Sequence, residues 1–224
     1  MSSGFFGFYA HCGVALALSD RGVRPVSLSG ASAGALVAAM WACGMEPGRI
    51  REELLAIRVG DFVDLPRPWD LVRGPVGMLG GRKLERSLER VLGSRTFEEC
   101  EVPLHVGVYD LAERRGRMVS SGPLVPAVRA SLSLPFMFGP GTVDGRPCWD
   151  GGIVDRTPVG PLAARGDVDR IYGSFLRHGR IDGPPRTLVG GLRSALLSVV
   201  QPAGQRAVDA ARAAEAEAAA PAGA

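Results

Sequence analysis

Apolar positions along the chain alternate between helical and strand periods, with short polar breaks between them. Residues 10–19 (AHCGVALALS) set Val14 and Leu18 four apart, which predicts a helix closed by Asp20-Arg21-Gly22. Arg24 to Leu28 reads as a short buried strand, followed by a tight turn over Ser29-Gly30-Ala31-Ser32-Ala33-Gly34. A second helix places Leu36, Met40 and Cys43 on one side and stops at Gly44. Pro47 opens a third, with Ile50, Leu54 and Ile57 at helical spacing. Leu84, Leu88 and Val91 mark another helix, ending at Gly93, and Pro123 to Ala130 predicts a short one. Leu104, Val106 and Val108 alternate as a strand with one buried face. Asp144-Gly145 is a hairpin turn signal, and Ile171 to Leu176 reads as a late strand. Strands interleaved with helices predict an α/β layered fold.

Two stretches interrupt the pattern. Between residues 59 and 81, Pro66, Pro68 and Pro75 break regular structure while Trp69, Leu71, Val72, Met78 and Leu79 keep the segment apolar, as in a lid or a packed irregular connection. Residues 187–200 predict a weakly amphipathic helix, after which the chain is Ala-rich. The expected division is one domain over residues 1–200 and a low-complexity tail over 201–224.

Composition narrows the function classes. The chain has 224 residues, 46% apolar and 22% charged, which excludes a disordered or fibrous protein. Its net charge of +3, carried almost wholly by arginine with Lys83 as the only lysine, forms no basic block with aromatics, so no nucleic-acid partner is expected. Cys12, Cys43, Cys100 and Cys148 show no C-x-x-C pair and read as buried reduced thiols. Nothing has metal-ligand spacing, and no cofactor is expected. Residues 1–19 and 25–45 carry no formal charge, yet the first lacks a basic signal-peptide region and the second is broken by glycines, serines and Pro25. A cytoplasmic protein without a signal peptide, touching membranes at most peripherally, is the expectation.

Gly30-Ala31-Ser32-Ala33-Gly34 is a G-x-S-x-G pentapeptide. Alone it is a weak signal, but here it sits between a strand and a helix. A nucleophile on so sharp a turn needs small neighbours, and the helix start behind it directs N–H groups at developing negative charge. Only 31 residues precede Ser32, too few for the strands that come before the serine in an α/β-hydrolase. Of the three histidines, only His178 follows late enough to close such a triad, and its arginine- and glycine-rich flanks suggest a solvated loop; His11 reads as a core or capping residue. Asp110 and Asp155 read as structural acids bonding backbone N–H groups.

From about Ser2 to Leu176 the chain resembles the patatin-like phospholipase family. The resemblance rests on Gly4-Phe5-Phe6-Gly7 at the place of an oxyanion loop, GASAGAL at 30–36, RASLSLPFMFGP at 129–140 and WDGGIVDRTPV at 149–159, with the central segment 81–111 between them. It implies a three-layer α/β/α fold with a mostly parallel central sheet. Ser2 and Ser3 stand where the loop's first glycines would be, and the strand leading into that loop has no counterpart, so the N-terminal strand is expected to be truncated. The resemblance further implies a serine-dependent lipid acyl hydrolase of phospholipase A, lysophospholipase or carboxylesterase type. Ser32 would be the nucleophile and Asp150 the proton acceptor, with Gly30, Gly34, Gly151 and Gly152 as motif glycines. Main-chain amides of Gly4, Phe5, Phe6 and Ala33 would form the oxyanion hole. A lipid or other acyl ester would be the substrate. A transacylase with the same dyad and a non-catalytic lipid-binding relic are the alternatives; the sequence assigns no oligomeric state.

Overall fold

The computed structural model describes residues 1–4, 7–61, 63–66 and 77–176. Phe5, Phe6, Trp69, Leu71, Val72, His178, the helix expected at 187–200 and the tail lie outside the described residues.

Among the described residues five strands form one sheet: β1 (Leu28–Ala31), β2 (Leu104–Asp110), β3 (Arg115–Val119), β4 (Gly141–Val143) and β5 (Arg146–Asp150). The described α-helices are α1 (Phe8–Ser19), α2 (Ala33–Ala42), α3 (Pro47–Ala56), α4 (Arg82–Leu92), α5 (Leu124–Ser131) and α6 (Gly160–Ala163). The α/β class is as expected; among the described strands the sheet is mixed, with fewer parallel pairs than expected. Among the described strands only β1 and β2 pair in parallel, while β2–β3, β2–β5 and β4–β5 are antiparallel. For β2–β3 and β4–β5 the reason is local. β2 and β3 are joined across residues 111–114, and β4 and β5 across Asp144-Gly145, both at positive φ. Connections that short can only reverse the chain.

β2 is the spine of the sheet. Its residues Leu104, Val106 and Val108 are fully buried, as their alternation predicts. α2 is buried along all ten residues, wedged between β1, β2, α1, α3 and α5. Its Ala-rich composition lets it approach the sheet closely, and Gly44 ends it at φ 81° with Met45 N–H bonding Met40 O. On α3 and α4 the buried stripes are Ile50/Leu54 and Leu84/Leu88/Leu92. Asp64 is buried at the start of α4, where it accepts from Gly81 N and Arg82 Nε at 2.9 and 3.1 Å. The described ends of the 59–81 stretch are therefore tied down.

Three local expectations shift. β1 begins at Leu28, not Arg24, because the parallel ladder with β2 starts there; Val26 is solvent-exposed and Gly30-Ala31 belong to the strand. On α1 the core face is Phe8, His11, Cys12 and Ala15, while Val14 and Leu18 line a groove with Trp41 and Tyr172. Ile171–Leu176 joins no ladder with the described strands; Ser174 O accepts from Ser2 N–H at 3.0 Å. On its other side this N-terminal stretch meets β1, with Met1 N donating to Ser29 O at 2.8 Å. Cys12, Cys43 and Cys148 are buried thiols as expected, and Cys100 is only half-buried. Among the described residues no helix is long and apolar enough to cross a membrane.

His11 joins these pieces. Its Nε2 lies 2.8 Å from Ser2 O, which can only accept, so that nitrogen carries the proton and Nδ1 accepts from Ser174 Oγ at 2.7 Å. Burial lowers its pKa from 6.5 to about 4. Between those values the unfolded chain holds the extra proton, so the stability His11 contributes is complete above pH 6.5 and is lost as pH falls through 4. The stability gap between wild type and His11→Gln should therefore narrow from pH 7 to pH 4.5 in urea titrations. A gap independent of pH would refute this role.

Candidate active site

The geometry of the site is set by one edge of β2. β3 occupies the other edge along residues 106–110, so β1 and β5 must share this one. β1 runs parallel to β2 and ends with Ala31 opposite Gly107, while β5 runs antiparallel and ends with Asp150 opposite Val108. The two strands thus point head-on, and their C-terminal ends abut at adjacent β2 residues. Ser32 follows Ala31 directly. Residues 118 positions apart in sequence are brought together by two registers on a single strand.

Ser32 lies between β1 and α2 at φ 55°, ψ −125°, a region an L-residue enters at a cost of about 1–3 kcal/mol. Its neighbours make the turn feasible. A Cβ on Gly30 would sit 2.5 Å from the Gly34 carbonyl carbon, and one on Gly34 would sit 2.5 Å from Met1 O. Ser32 is the N-cap of α2, but its hydroxyl makes no capping bond. Its N–H instead donates to Ser131 Oγ at 2.9 Å, and Ser131 Oγ–H donates to Gly107 O at 2.7 Å. The end of α5 also holds the acid, since Asp150 N–H donates to Ser133 O at 3.0 Å.

Asp150 is fully buried and Ser32 is 5% exposed. Asp150 Oδ1 accepts from Gly152 N–H at 2.8 Å. The Ser32 hydroxyl acts on the carboxylate as a hydrogen-bonding neighbour, yet Oδ2 is solvent-excluded and has no partner at full hydrogen-bond geometry. Burial pushes the carboxyl up from 3.8 to about 6, against the opposing pull of Ser32, the Gly152 N–H and the Arg156 charge. A carboxylate of that basicity beside a serine hydroxyl is suited to taking its proton. Gly151 packs against the Gly107 backbone and Gly152 against Ser3, leaving no room for a Cβ at either.

The structure brings Ser32, Asp150, Gly30, Gly34, Gly151 and Gly152 together. Ala33 N–H opens α2, and neither it nor the Gly4 N–H is taken by another described residue. Leu176 packs its side chain over Gly4 and Gly7. Of the expected oxyanion residues, Phe5 and Phe6 lie outside the described residues. Asp110 accepts from Ala112 and Glu113 N–H and Asp155 from Thr157 N–H, as structural acids do. Sequence reasoning missed the roles of Ser131 and Ser133. Their only signal is that small polar residues interrupt the otherwise apolar run at 130–138.

The family model described as patatin-like phospholipase matches residues 1–163. An uncharacterised protein of Mycobacterium bovis, named as an NTE family member, is 32% identical over 69% of this chain and 42% of its own length. A lysophospholipase of Aspergillus fumigatus is 27% identical over 85% of this chain and 12% of its own. The chain thus spans less than half the length of either relative. The crystal structure of VipD from Legionella pneumophila superposes with a TM-score of 0.53 over 70% of this chain and 46% of that one, at 18% identity, and so shares the fold.

Ser131→Ala would leave the Ser32 N–H and Gly107 O unpaired in a dry interior, costing about 1–3 kcal/mol. The expected result is a lower urea midpoint and a fall in kcat with KM nearly unchanged, because the turn carrying Ser32 loses its anchor. A variant with wild-type kcat would show that the anchor is dispensable.

Proposed function

This chain belongs to the patatin-like phospholipase family, and from that premise we propose that it hydrolyses lipid acyl esters with Ser32 as nucleophile and Asp150 as proton acceptor. The observation that carries the reading is the strained Ser32 turn facing a desolvated carboxylate with an unpaired oxygen. Ser32 Oγ attacks the ester carbonyl as its proton passes to Asp150 Oδ2. The ester C–O bond then breaks, and the proton goes to the departing alcohol. Asp150 next takes a proton from water, which attacks the acyl-enzyme; the bond to Ser32 Oγ breaks, the proton returns to Oγ and the fatty acid leaves. The N–H groups of Ala33 and Gly4 are the described donors for the oxyanion, with the positive end of α2 behind Ala33. Substrates are phospholipid, lysophospholipid or simpler carboxylic esters. The name of the Aspergillus relative favours the lysophospholipid.

The reading extends to a lipid surface. Val63, Leu65, Met78 and Phe136 are 43%, 76%, 55% and 70% exposed. They sit on loops joined by Met78 N–H to Phe136 O and Gly80 N–H to Asp64 O. Phe136 is held at φ 67° while its ring faces solvent, an arrangement that packing does not repay and a bilayer interface would. Contact of this kind is peripheral.

Ser32→Ala should abolish p-nitrophenyl ester hydrolysis and covalent labelling by a fluorophosphonate. Asp150→Asn should lower the rate at least about a hundredfold. Wild-type kcat/KM should rise with pH up to about 6 and then level off, as Asp150 ionises. The same substitution should stabilise the fold. A carboxyl raised from 3.8 to about 6 contributes stability that is lost as pH rises through 6. Asp150→Asn should therefore unfold at higher urea than wild type at pH 8, by up to about 3 kcal/mol, and show little gain near pH 4. Labelling that persists in Ser32→Ala, or an Asp150→Asn enzyme as fast as wild type, would dismiss the dyad.

For the surface, Leu65→Ser with Phe136→Asn should end co-sedimentation with phosphatidylcholine vesicles while leaving hydrolysis of the soluble ester intact. Asparagine is chosen because it tolerates the left-handed backbone. Unchanged sedimentation would reject this patch.

A further inference from the structure

We propose that Cys43 and Cys100 are a redox site, closing to a disulfide when a hydroperoxide oxidises the protein. The two sulfurs lie 4.0 Å apart, in thiol contact. Cys43 follows the last residue of α2 and Cys100 closes the 3₁₀ turn Phe97–Glu99 ahead of β2. The segments are already joined beside the pair, because Glu101 N–H donates to Ala42 O at 2.7 Å. Each backbone is also fixed from within, Cys43 N–H on Ala39 O and Cys100 N–H on Phe97 O. Side-chain rotation is the movement left for bond formation, and the bond it breaks is a weak one from Cys100 Sγ to Thr96 O at 3.8 Å.

The surroundings favour the chemistry. Arg95 Nη1 bonds Cys43 O at 3.0 Å, placing a guanidinium beside the pair, with Glu98 and Glu101 as the facing acids. Hydrogen bonding from Cys100 and the Arg95 charge lower the Cys43 thiol, against burial and Glu101, while the same contact and burial raise Cys100, so Cys43 is the sulfur favoured as thiolate and Cys100 keeps its proton. Cys100 is half-buried, so small oxidants reach the pair from its side. One thiolate attacks a hydroperoxide oxygen, breaking the O–O bond and leaving a sulfenic acid and, after protonation, water or an alcohol. The second sulfur then attacks the first, the S–S bond forms, the S–O bond breaks, and water leaves with the second thiol's proton. Two thiols are oxidised and one peroxide is reduced.

The bond would fasten the far end of α2, whose N-cap is Ser32, to the approach to β2, whose edge aligns Ser32 and Asp150. The effect is on endurance, since neither sulfur belongs to the site. Linking residues 43 and 100 restricts the unfolded chain and should raise the thermal midpoint by about 5–10 °C.

The purified chain is treated with hydrogen peroxide and compared with Cys43→Ser, Cys100→Ser and Cys12→Ala/Cys148→Ala. The four thiols should fall to two, with the mass lower by two hydrogens and peptides 43 and 100 linked. In the double variant both remaining thiols should disappear. Wild type should melt higher after oxidation, and neither serine variant should. Four thiols persisting, a bond to Cys12 or Cys148 or between chains, or over-oxidation of single sulfurs in place of linkage would overturn the proposal.

Discussion

The site depends on the single edge of β2 shared end to end by β1 and β5. Backbone hydrogen bonding fixes each register, and a strand has only two edges. With β3 on one, the two remaining partners can coexist only if each stops where the other begins. That junction falls between Gly107 and Val108, so the chain leaving β1 and the chain leaving β5 turn away from the sheet at the same place. The small residues there follow from crowding. The Gly151 backbone lies against Gly107, and Gly30 lies against Gly34 as α2 folds back over the strand.

α5 locks this junction from above. Ser131 bridges the Ser32 N–H and Gly107 O, and Ser133 O takes the Asp150 N–H. Both polar groups lie in a dry interior, where an unpaired partner is costly. The same dryness raises the Asp150 pKa and leaves Oδ2 unpaired. The fold therefore carries an electrostatic penalty at the place where the proposed chemistry needs a base, and the strained φ of Ser32 adds to it. The bonds from α5, the buried length of α2 and the His11 link to Ser2 and Ser174 offset that cost elsewhere.

The sequence by itself determined the α/β class and most of the described helices, and it named candidate residues for the site. Helical spacing found α3 and α4 because Ile50/Leu54 and Leu84/Leu88 each pack one face against the core. The turn at Asp144-Gly145 was legible because its backbone needs residues that accept positive φ. Ser32 was a candidate because its G-x-S-x-G turn lies between strand and helix, and Asp150 was one through the family resemblance alone. Periodicity failed where burial is not one-sided. On α1 it selected Val14 and Leu18, since a helix apolar nearly all round does not say which face meets its neighbours. Strand direction, the start of β1 at Leu28, the roles of Ser131 and Ser133, and the approach of Cys43 to Cys100 belong to tertiary structure alone. Each depends on which distant backbone supplies the partner for a hydrogen bond or a side chain, and no local pattern of residues encodes that pairing.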